Sequence, residues 1–483
     1  MRRQSNRAHP SERARSAGIV PIRSLLVAAL LAAALRAPAP LVSQVPQPAP
    51  SRRPSPPTAP AAPATALLPA VTDTGTALFD VGGVRVILRV NTANDVVAAN
   101  LYLLGGVRLT TDETTGIEPF LLLASEQGTT RYPKDRLRKL MARLGTEVVV
   151  DAEQDWTMIG ARATRATLDS TWAVLSERLM APTLDSTDVE RVRTQLVSAV
   201  RQRRDDPDEL VHYLADSIAF EGHPYGRSET GTERSVTRIS RAELLAFQRT
   251  QMVTSRMVLV IVGNVSRAQV ERLVRSSIAN LPRGDFAWSL PDTLPTTRPA
   301  VAVESRVLPT NYLLGYVAGP PPTSRDYEAL RLAAAVLSGQ LDGELRQRRN
   351  LTYAVNAPFR EGGVSSAGLY ITTVSPNVAL DVMRREIQVL QREMLSPEAL
   401  GQLTQQFLVR YYLNNETNAA QANQLARGLL YHDDWRYADH FIDALRRVTP
   451  ADVQRAARTY FRNVRFAYVG DPNRLNRAAV QRF

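Results

Sequence analysis

Residues Gly116–Thr129 read G-I-E-P-F-L-L-L-A-S-E-Q-G-T and decide the fold. An apolar run with an amphipathic front lies between Gly116 and Gly128. A Tyr-Pro turn at Tyr132 and Pro133 follows it. We interpret the stretch as a short helix held in a glycine frame.

The length and composition of the chain limit its class. At 483 residues it is too long for one ordinary hydrophobic core, so two or more domains are expected. Its 44% hydrophobic and 22% charged residues are typical of a globular protein. No cysteine is present, which excludes disulfides and thiolate zinc sites.

The net charge of +12 is unevenly distributed. Residues 1–70 hold nine arginines and one acid and contribute +8, which leaves +4 for the other 413 residues. No basic stripe in this remainder interleaves with aromatic side chains. We therefore expect no nucleic-acid partner.

Residues 1–36 are interpreted as a signal peptide. A basic start precedes the apolar run Leu25–Leu35, whose eleven residues are far fewer than the ~20 of a transmembrane helix. A Pro/Ala-rich linker is predicted over 37–74, because such a composition buries too little apolar surface to fold. We expect the rest of the chain to be exported to the periplasm, with an uncleaved membrane anchor as the alternative to a cleaved leader.

Beyond residue 75 the pattern changes to short apolar strands and amphipathic helices. Val84–Leu88 and Val97–Leu104 are predicted to form a hairpin-like pair. Leu137, Leu140 and Leu144 recur at helical spacing, and Gly145 is expected to end that helix.

An internal repeat divides this body in two. Ser240 is the predicted N-cap of a helix that leads to the strand Met257–Val262 and a Gly-Asn pair. Thr449 plays the same part before the strand Phe466–Val469 and a Gly-Asp pair. A duplicated unit of about two hundred residues accounts for both occurrences.

The predicted fold class is therefore α+β. Two homologous halves, each a mixed or antiparallel sheet flanked by helices, are expected to form a clamshell. The predicted limits are 75–285 for the N-terminal half and 300–483 for the C-terminal half, with the break in the proline-containing segment Pro282–Ala300.

The opening stretch resembles the inverted zinc motif G-x-x-H-x-x-E-H-x-x-x-x-G-T of pitrilysin/insulinase-type zinc peptidases, the family of mitochondrial processing peptidase. Residues 205–207 and 222–226 resemble the D-D-P and G-H-P-Y-G landmarks of its first half. Leu345–Tyr353 resembles L-R-x-x-x-G-L-x-Y of its second half, with Asn350 in place of glycine. Asn is a mild departure, because it also tolerates a left-handed backbone.

The resemblance implies a zinc site whose ligands this chain lacks. The two histidines of the motif fall on Pro119 and Leu123, and its glutamate falls on Leu122. The distal glutamate falls on Ala199. None of these side chains can bind a metal or activate water, so we expect no metal ligand and no catalytic residue in this chain.

Other residues offer no replacement site. Glu118 and Glu126 flank the motif without a histidine nearby. His432 and His440 are eight residues apart, about 12 Å along a helix and too far for one ion. His432 is interpreted as part of a polar cluster at a helix end, and His223 as a structural residue of its landmark.

Arg346 and Tyr353 are the candidate substrate-binding residues. The resemblance implies that they reach a substrate carbonyl and donate hydrogen bonds to the oxyanion of the tetrahedral intermediate. The alternative is that Arg346 is a solvated cation at a helix end and that the ring of Tyr353 lies in the core.

These features favour a non-catalytic, substrate-holding subunit of an exported two-chain zinc metallopeptidase. Its expected partners are a homologous subunit that bears the zinc and an extended peptide substrate. The first alternative is a peptide-binding or assembly scaffold with no peptidase partner. The second is a self-sufficient enzyme with an unfamiliar site.

Overall fold

The computed structural model describes residues 75–294 and 298–483. The predicted signal peptide at 1–36 and linker at 37–74 lie outside these ranges. No helix within them combines the length and the apolar character that crossing a membrane requires.

The strands of the first half are β1 Thr76–Val81, β2 Val84–Val90, β3 Val96–Leu104, β4 Glu147–Ala152, β5 Trp156–Thr164 and β6 Met257–Gly263. They form one sheet in the order β1-β2-β6-β3-β5-β4, in which only β2 and β6 run parallel. The predicted hairpin of Val84–Leu88 with Val97–Leu104 is wrong, because β6 lies between those strands. The hairpin instead joins β1 to β2 through Gly82 and Gly83, whose φ angles of 63° and 88° suit a tight turn.

The helices of this half are α1 Ile117–Ala124, α2 Lys134–Leu144, α3 Leu168–Met180, α4 Ser186–Asp205, α5 Pro207–Ala219, α6 Glu233–Arg238, α7 Arg241–Gln251 and α8 Arg267–Arg275. Gly145 ends α2 in a left-handed conformation, as expected. Ser240 caps α7 in a capping box with Glu243, also as expected.

The strands of the second half are β7 Ala300–Ser305, β8 Asn311–Ala318, β9 Val355–Asn356, β10 Phe359–Arg360, β11 Ser366–Thr373 and β12 Arg465–Gly470. The sheet order is β10-β11-β8-β12-β7, with β9 also paired to β11. β12 lies parallel to β7 and antiparallel to β8, just as β6 lies between β2 and β3. The shared arrangement agrees with the internal repeat, and the predicted α+β class of two sheets flanked by helices is confirmed.

The helices of the second half are α9 Tyr327–Leu341, α10 Pro376–Arg392, α11 Pro397–Asn414, α12 Asn418–His432, α13 Tyr437–Arg446, α14 Pro450–Tyr460 and α15 Arg477–Val480. Thr449 caps α14 in a capping box with Asp452, and Pro450 occupies its first turn. The predicted limits of 75–285 and 300–483 stay a prediction; each range contains one complete sheet.

The first sheet is buried on both faces, and one of these faces is covered by a helix from the second half of the chain. Leu101, Leu259 and Ile261 face the core formed with α1, α3, α4, α7 and α8. The alternate residues, among them Tyr102 and Val260, face α12. Because neighbouring side chains of a strand point to opposite faces, both sets are removed from water.

The second sheet is covered in the reciprocal way by α5. Leu210, Val211 and Ala215 of this helix pack against Leu314 and Val469 of the second sheet. The other face of the sheet packs against α9, α10 and α14. Each half therefore contributes one helix that completes the core of the other half.

We predict that the packing of α12 on the first sheet contributes strongly to the stability of the folded chain. Leu425→Ala, at a fully buried side chain, should lower the free energy of unfolding by about 2–5 kcal/mol, because a cavity is left between helix and sheet. Leu413→Ala on α11, where the side chain is 62% exposed, should change it by less than about 0.5 kcal/mol. Chemical denaturation measures both, and equal effects would contradict the packing described.

Candidate functional site

The glycine frame around α1 is explained by close approach of two backbones. Gly116 caps α1 with a φ of 85°, and a Cβ there would lie 2.7 Å from the Cα of Gly231. Gly231 also has a φ of 85°, and a Cβ on it would lie 2.8 Å from the carbonyl oxygen of Thr115. Any larger residue would push the two segments apart, so the start of α1 is fixed against the loop before α6.

A buried ion pair fixes the first turn of α1. The carboxylate of Glu118 lies 2.9 Å from the guanidinium of Arg256, and both side chains are almost fully buried. Arg256 also donates to the carbonyl oxygen of Leu104 at 2.7 Å. Burial raises the pKa of Glu118, and Arg256 opposes that shift. Glu118 is therefore a structural residue of the core, and its carboxylate is not available as a metal ligand or catalytic base.

A buried arginine fixes the other end of α1. Arg178 donates to the carbonyl oxygen of Leu122 at 2.8 Å and to Oγ of Ser125 at 3.2 Å. A cation is favourable there, because the carbonyl groups at a helix C-terminus carry partial negative charge. The exposed Glu126 lies 3.8 Å from the same guanidinium.

The four positions that the resemblance assigns to the zinc site carry no metal-binding group. Pro119 and Leu122 are buried, Leu123 is half-buried against the first core, and Ala199 is exposed on α4. Hydrocarbon side chains offer no lone pair, so these residues do not fit a zinc ion. Within 75–294 and 298–483, no three His, Asp or Glu side chains form a group that could hold a metal.

The G-H-P-Y-G segment joins the two halves. Nδ1 of His223 accepts a hydrogen bond from the backbone N–H of Tyr225 at 3.2 Å, and burial lowers the pKa of His223. The hydroxyl of Tyr225 donates to Asp155 at 2.5 Å. The same Oδ2 of Asp155 accepts from the hydroxyl of Tyr431 at 3.0 Å and from the backbone N–H of Gly363 at 3.1 Å.

Asp155 is thus a buried residue whose carboxylate accepts hydrogen bonds from both halves of the chain. No sequence pattern marks it, since the partners that make it significant come from distant segments. Within the described ranges no group hydrogen-bonds its other oxygen, Oδ1, and the guanidinium of Arg108 lies 3.8 Å away.

Arg346 and Tyr353 are both exposed, on a segment that is anchored in the second core. Arg346 lies in π-helical turns over Asp342–Arg348 and contacts Asp342 at 3.4 Å. The side chain of Tyr353 is 93% exposed, so the alternative that placed its ring in the core is wrong. Among the described residues, none hydrogen-bonds its hydroxyl.

The backbone on both sides of Tyr353 is hydrogen-bonded to β11, although the side chain of Tyr353 is exposed. Asn350 has a φ of 51°, which confirms that it takes the left-handed conformation expected at the glycine position. Thr373 Oγ1 donates to the carbonyl oxygen of Leu351 at 2.9 Å, and the N–H of Thr372 donates to that of Ala354 at 3.1 Å. The chain therefore presents the phenol from a fixed loop.

These features define a class: a two-sheet protein of zinc-peptidase type that keeps the motif helix without its ligands. The chain belongs to peptidase family M16, which confirms the predicted resemblance. The family model described as insulinase (peptidase family M16) matches residues 85–233. The model described as the peptidase M16 inactive domain matches residues 238–407.

Curated relatives are similar over part of their length. Cytochrome b-c1 complex subunit 1, mitochondrial, of Homo sapiens is 24% identical over 277 residues, covering 56% of each chain. Mitochondrial-processing peptidase subunit beta of Lentinula edodes is 25% identical over 232 residues, covering 47% of this chain and 50% of that one. The chain spans about half the length of these relatives.

Solved structures show the same fold at low identity. A peptidase M16 inactive domain from Pseudomonas fluorescens superposes with a TM-score of 0.75 at 16% identity, covering 82% of this chain and 98% of that one. A protease from Helicobacter pylori gives 0.74 at 16% identity, covering 82% and 99%.

His432 is the last residue of α12, consistent with its interpretation as a helix-end residue. Its ring stacks on Tyr437 with centroids 3.4 Å apart. Burial lowers its pKa from an ordinary 6.5 to about 4, and Arg331 adds to that shift against the opposing effect of Glu361. The folded chain therefore keeps this imidazole neutral at pH values where the unfolded chain protonates it.

This difference predicts a loss of stability on acidification. Between pH 6.5 and about 4 the unfolded state binds a proton at His432 and the folded state does not, so the free energy of unfolding falls as the pH is lowered. His432→Gln should make that fall shallower. His440→Gln, at a histidine whose side chain is 55% exposed, is the control for loss of an imidazole at the surface. Urea denaturation at several pH values tests this, and identical profiles for all three proteins would contradict it.

Proposed function

We propose that this chain is the non-catalytic, substrate-holding subunit of an exported two-chain zinc metallopeptidase that cleaves peptides. The observation that supports this most is the state of α1. Both of its ends are fixed by buried arginines, yet Pro119, Leu122 and Leu123 supply no metal ligand. A chain of this family without its own ligands acts in catalysis only beside one that has them.

The zinc belongs, in this proposal, to a homologous partner with an intact H-x-x-E-H motif. This chain binds no cofactor itself. Residues 1–36 direct export, and the periplasm is the proposed location. Some of the relatives that match are named as subunits, of the cytochrome b-c1 complex and of mitochondrial-processing peptidase, and others are named as uncharacterized zinc proteases.

Arg346 and Tyr353 are the proposed contacts to the substrate. A guanidinium and a phenol donate N–H and O–H hydrogen bonds, which suits a peptide carbonyl oxygen that gains negative charge during cleavage. Both groups are exposed, and the loop that carries Tyr353 is hydrogen-bonded to β11. π-Helical turns such as those around Arg346 are frequent at functional sites.

Zinc content and peptide cleavage separate this proposal from a self-sufficient enzyme. The isolated chain should contain no stoichiometric zinc by atomic absorption and should not cleave unstructured peptides. Mixing it with a homologue that carries the intact motif should give a zinc-containing complex that cleaves them. Stoichiometric zinc together with cleavage by the isolated chain would overturn the proposal.

The substrate contacts predict a specific kinetic defect. Arg346→Ala with Tyr353→Phe should lower kcat/KM of the complex about 100-fold, because two donors to the developing oxyanion are removed. Assembly and the stability of the chain should not change, since both side chains are exposed. Arg348→Ala with Tyr412→Phe, at side chains 74% and 62% exposed, is the matched control. Unchanged turnover in the first variant would make Arg346 and Tyr353 structural.

The alternative function is a peptide-binding or assembly scaffold of the same fold with no peptidase partner. The similarity to a cytochrome b-c1 complex subunit favours keeping it. A neighbouring gene for a homologue with intact H-x-x-E-H supports the two-chain peptidase. Complexes isolated from the native source that contain this chain without such a homologue support the scaffold.

A further inference from the structure

Two adjoining depressions lie on the surface where α4, α5 and α6 meet. The one between α4 and α6 is wide open and has a volume of about 570 Å³, and the more enclosed one, which extends to α5, has a volume of about 250 Å³. Both are lined by Arg204 and by Thr232 and Glu233 at the start of α6. We call the combined space the arginine cleft, after the five arginines that line it: Arg201, Arg203, Arg204, Arg234 and Arg238.

Helical spacing brings these cations together. Arg201 and Arg204 are three residues apart on α4, and Arg234 and Arg238 are four apart on α6, so each pair shares one helix face. α6 packs against α4. Like charges at these spacings repel one another and lower the stability of the folded chain, so the arrangement favours a ligand of opposite charge.

The acids of the chain neutralise this charge only in part. Glu233 pairs with Arg201, and Glu113 lies 2.8 Å from Arg238 and 3.8 Å from Arg234. Glu304 also lines the cleft and contacts Arg306 at 3.4 Å. Of these three glutamates, two pair with arginines of the cleft, which number five. Within the part of the chain that the structure describes, Arg204 forms no ion pair within 4 Å, although it helps Arg201 to lower the pKa of Glu233.

The floor of the cleft is hydrogen-bonded and partly apolar. Arg203 donates to Oγ1 of Thr230 at 2.9 Å and to the carbonyl oxygen of Gly231 at 3.1 Å. Its guanidinium lies 5.5 Å from the ring centroid of Tyr213. Leu210 and Leu214 of α5 add an apolar wall. Because Gly231 also contacts Gly116, the floor is continuous with the start of α1.

We propose that the arginine cleft binds an acidic segment of an extended peptide. Guanidinium groups match carboxylates in shape and charge and bind them with paired hydrogen bonds. The apolar wall accepts the side chains between the acids. This inference rests on the proposed peptide-holding function and adds a preference for acidic sequences at a place separate from Arg346 and Tyr353.

The test uses the full chain and three labelled peptides of one length and sequence, which carry Glu, Gln or Lys at the same positions. Fluorescence anisotropy should give the Glu peptide a dissociation constant about tenfold lower than the Gln peptide, with the difference shrinking as NaCl is added. Arg204→Gln with Arg234→Gln should weaken binding of the Glu peptide about five- to tenfold and leave the Gln peptide unchanged. Arg346→Ala with Tyr353→Phe should leave the preference for acid intact.

The matched control is Arg138→Gln with Arg275→Gln, which removes two exposed, acid-paired cations from α2 and α8. It should not alter the preference. Equal affinity for the Glu and Gln peptides, or an equal loss in the control variant, overturns the cleft assignment and leaves peptide holding intact. Failure of all three peptides to bind overturns both.

Discussion

The reciprocal exchange of α5 and α12 is the constraint on which the rest of the structure depends. Each sheet is apolar on both faces, and a sheet with one bare apolar face would be unstable in water. α12 covers the first sheet and α5 covers the second. Neither half can therefore complete its core without the other, and the positions of α1, the arginine cleft and the loop of Tyr353 follow from that joint core.

Polar contacts at the exchanged helices set their register. Asn423 of α12 accepts a hydrogen bond from Asn100 of β3 at 2.9 Å. About one turn further along α12, Arg427 lies 3.3 Å from Glu361, which also pairs with Arg331. Burial opposes the charge on Glu361, but the two arginines hold its pKa at about 2. Removal of one partner of such a buried pair would leave an uncompensated charge, so Glu361, Arg331 and Arg427 depend on one another.

The sequence predicted the local secondary structure better than it predicted how the strands and helices pack together. Capping residues such as Ser240 and Thr449 act on neighbouring backbone groups, so short patterns identify them. The order of strands was mistaken at β2 and β3, because β6 enters the sheet from a distant part of the chain. A signal for the exchange was present, since Met257–Gly263 is an unbroken apolar run of the kind expected when both faces are covered. That run does not identify the helix that covers the second face. The role of Asp155 is visible only in the folded structure, where Tyr225 and Tyr431 both hydrogen-bond to it.

Retention of α1 is not by itself a sign of function. Phe120, Leu121 and Leu122 belong to the first core, so the helix is needed for packing whether or not a metal binds beside it. Exchange of charged groups for apolar ones at such a position carries no stability penalty. The lost ligands of α1 support a non-catalytic role, whereas substrate holding has to be argued from groups that packing does not require. Tyr353 and Arg346 are such groups, because their side chains are exposed to solvent and contribute nothing to the core that anchors their segment.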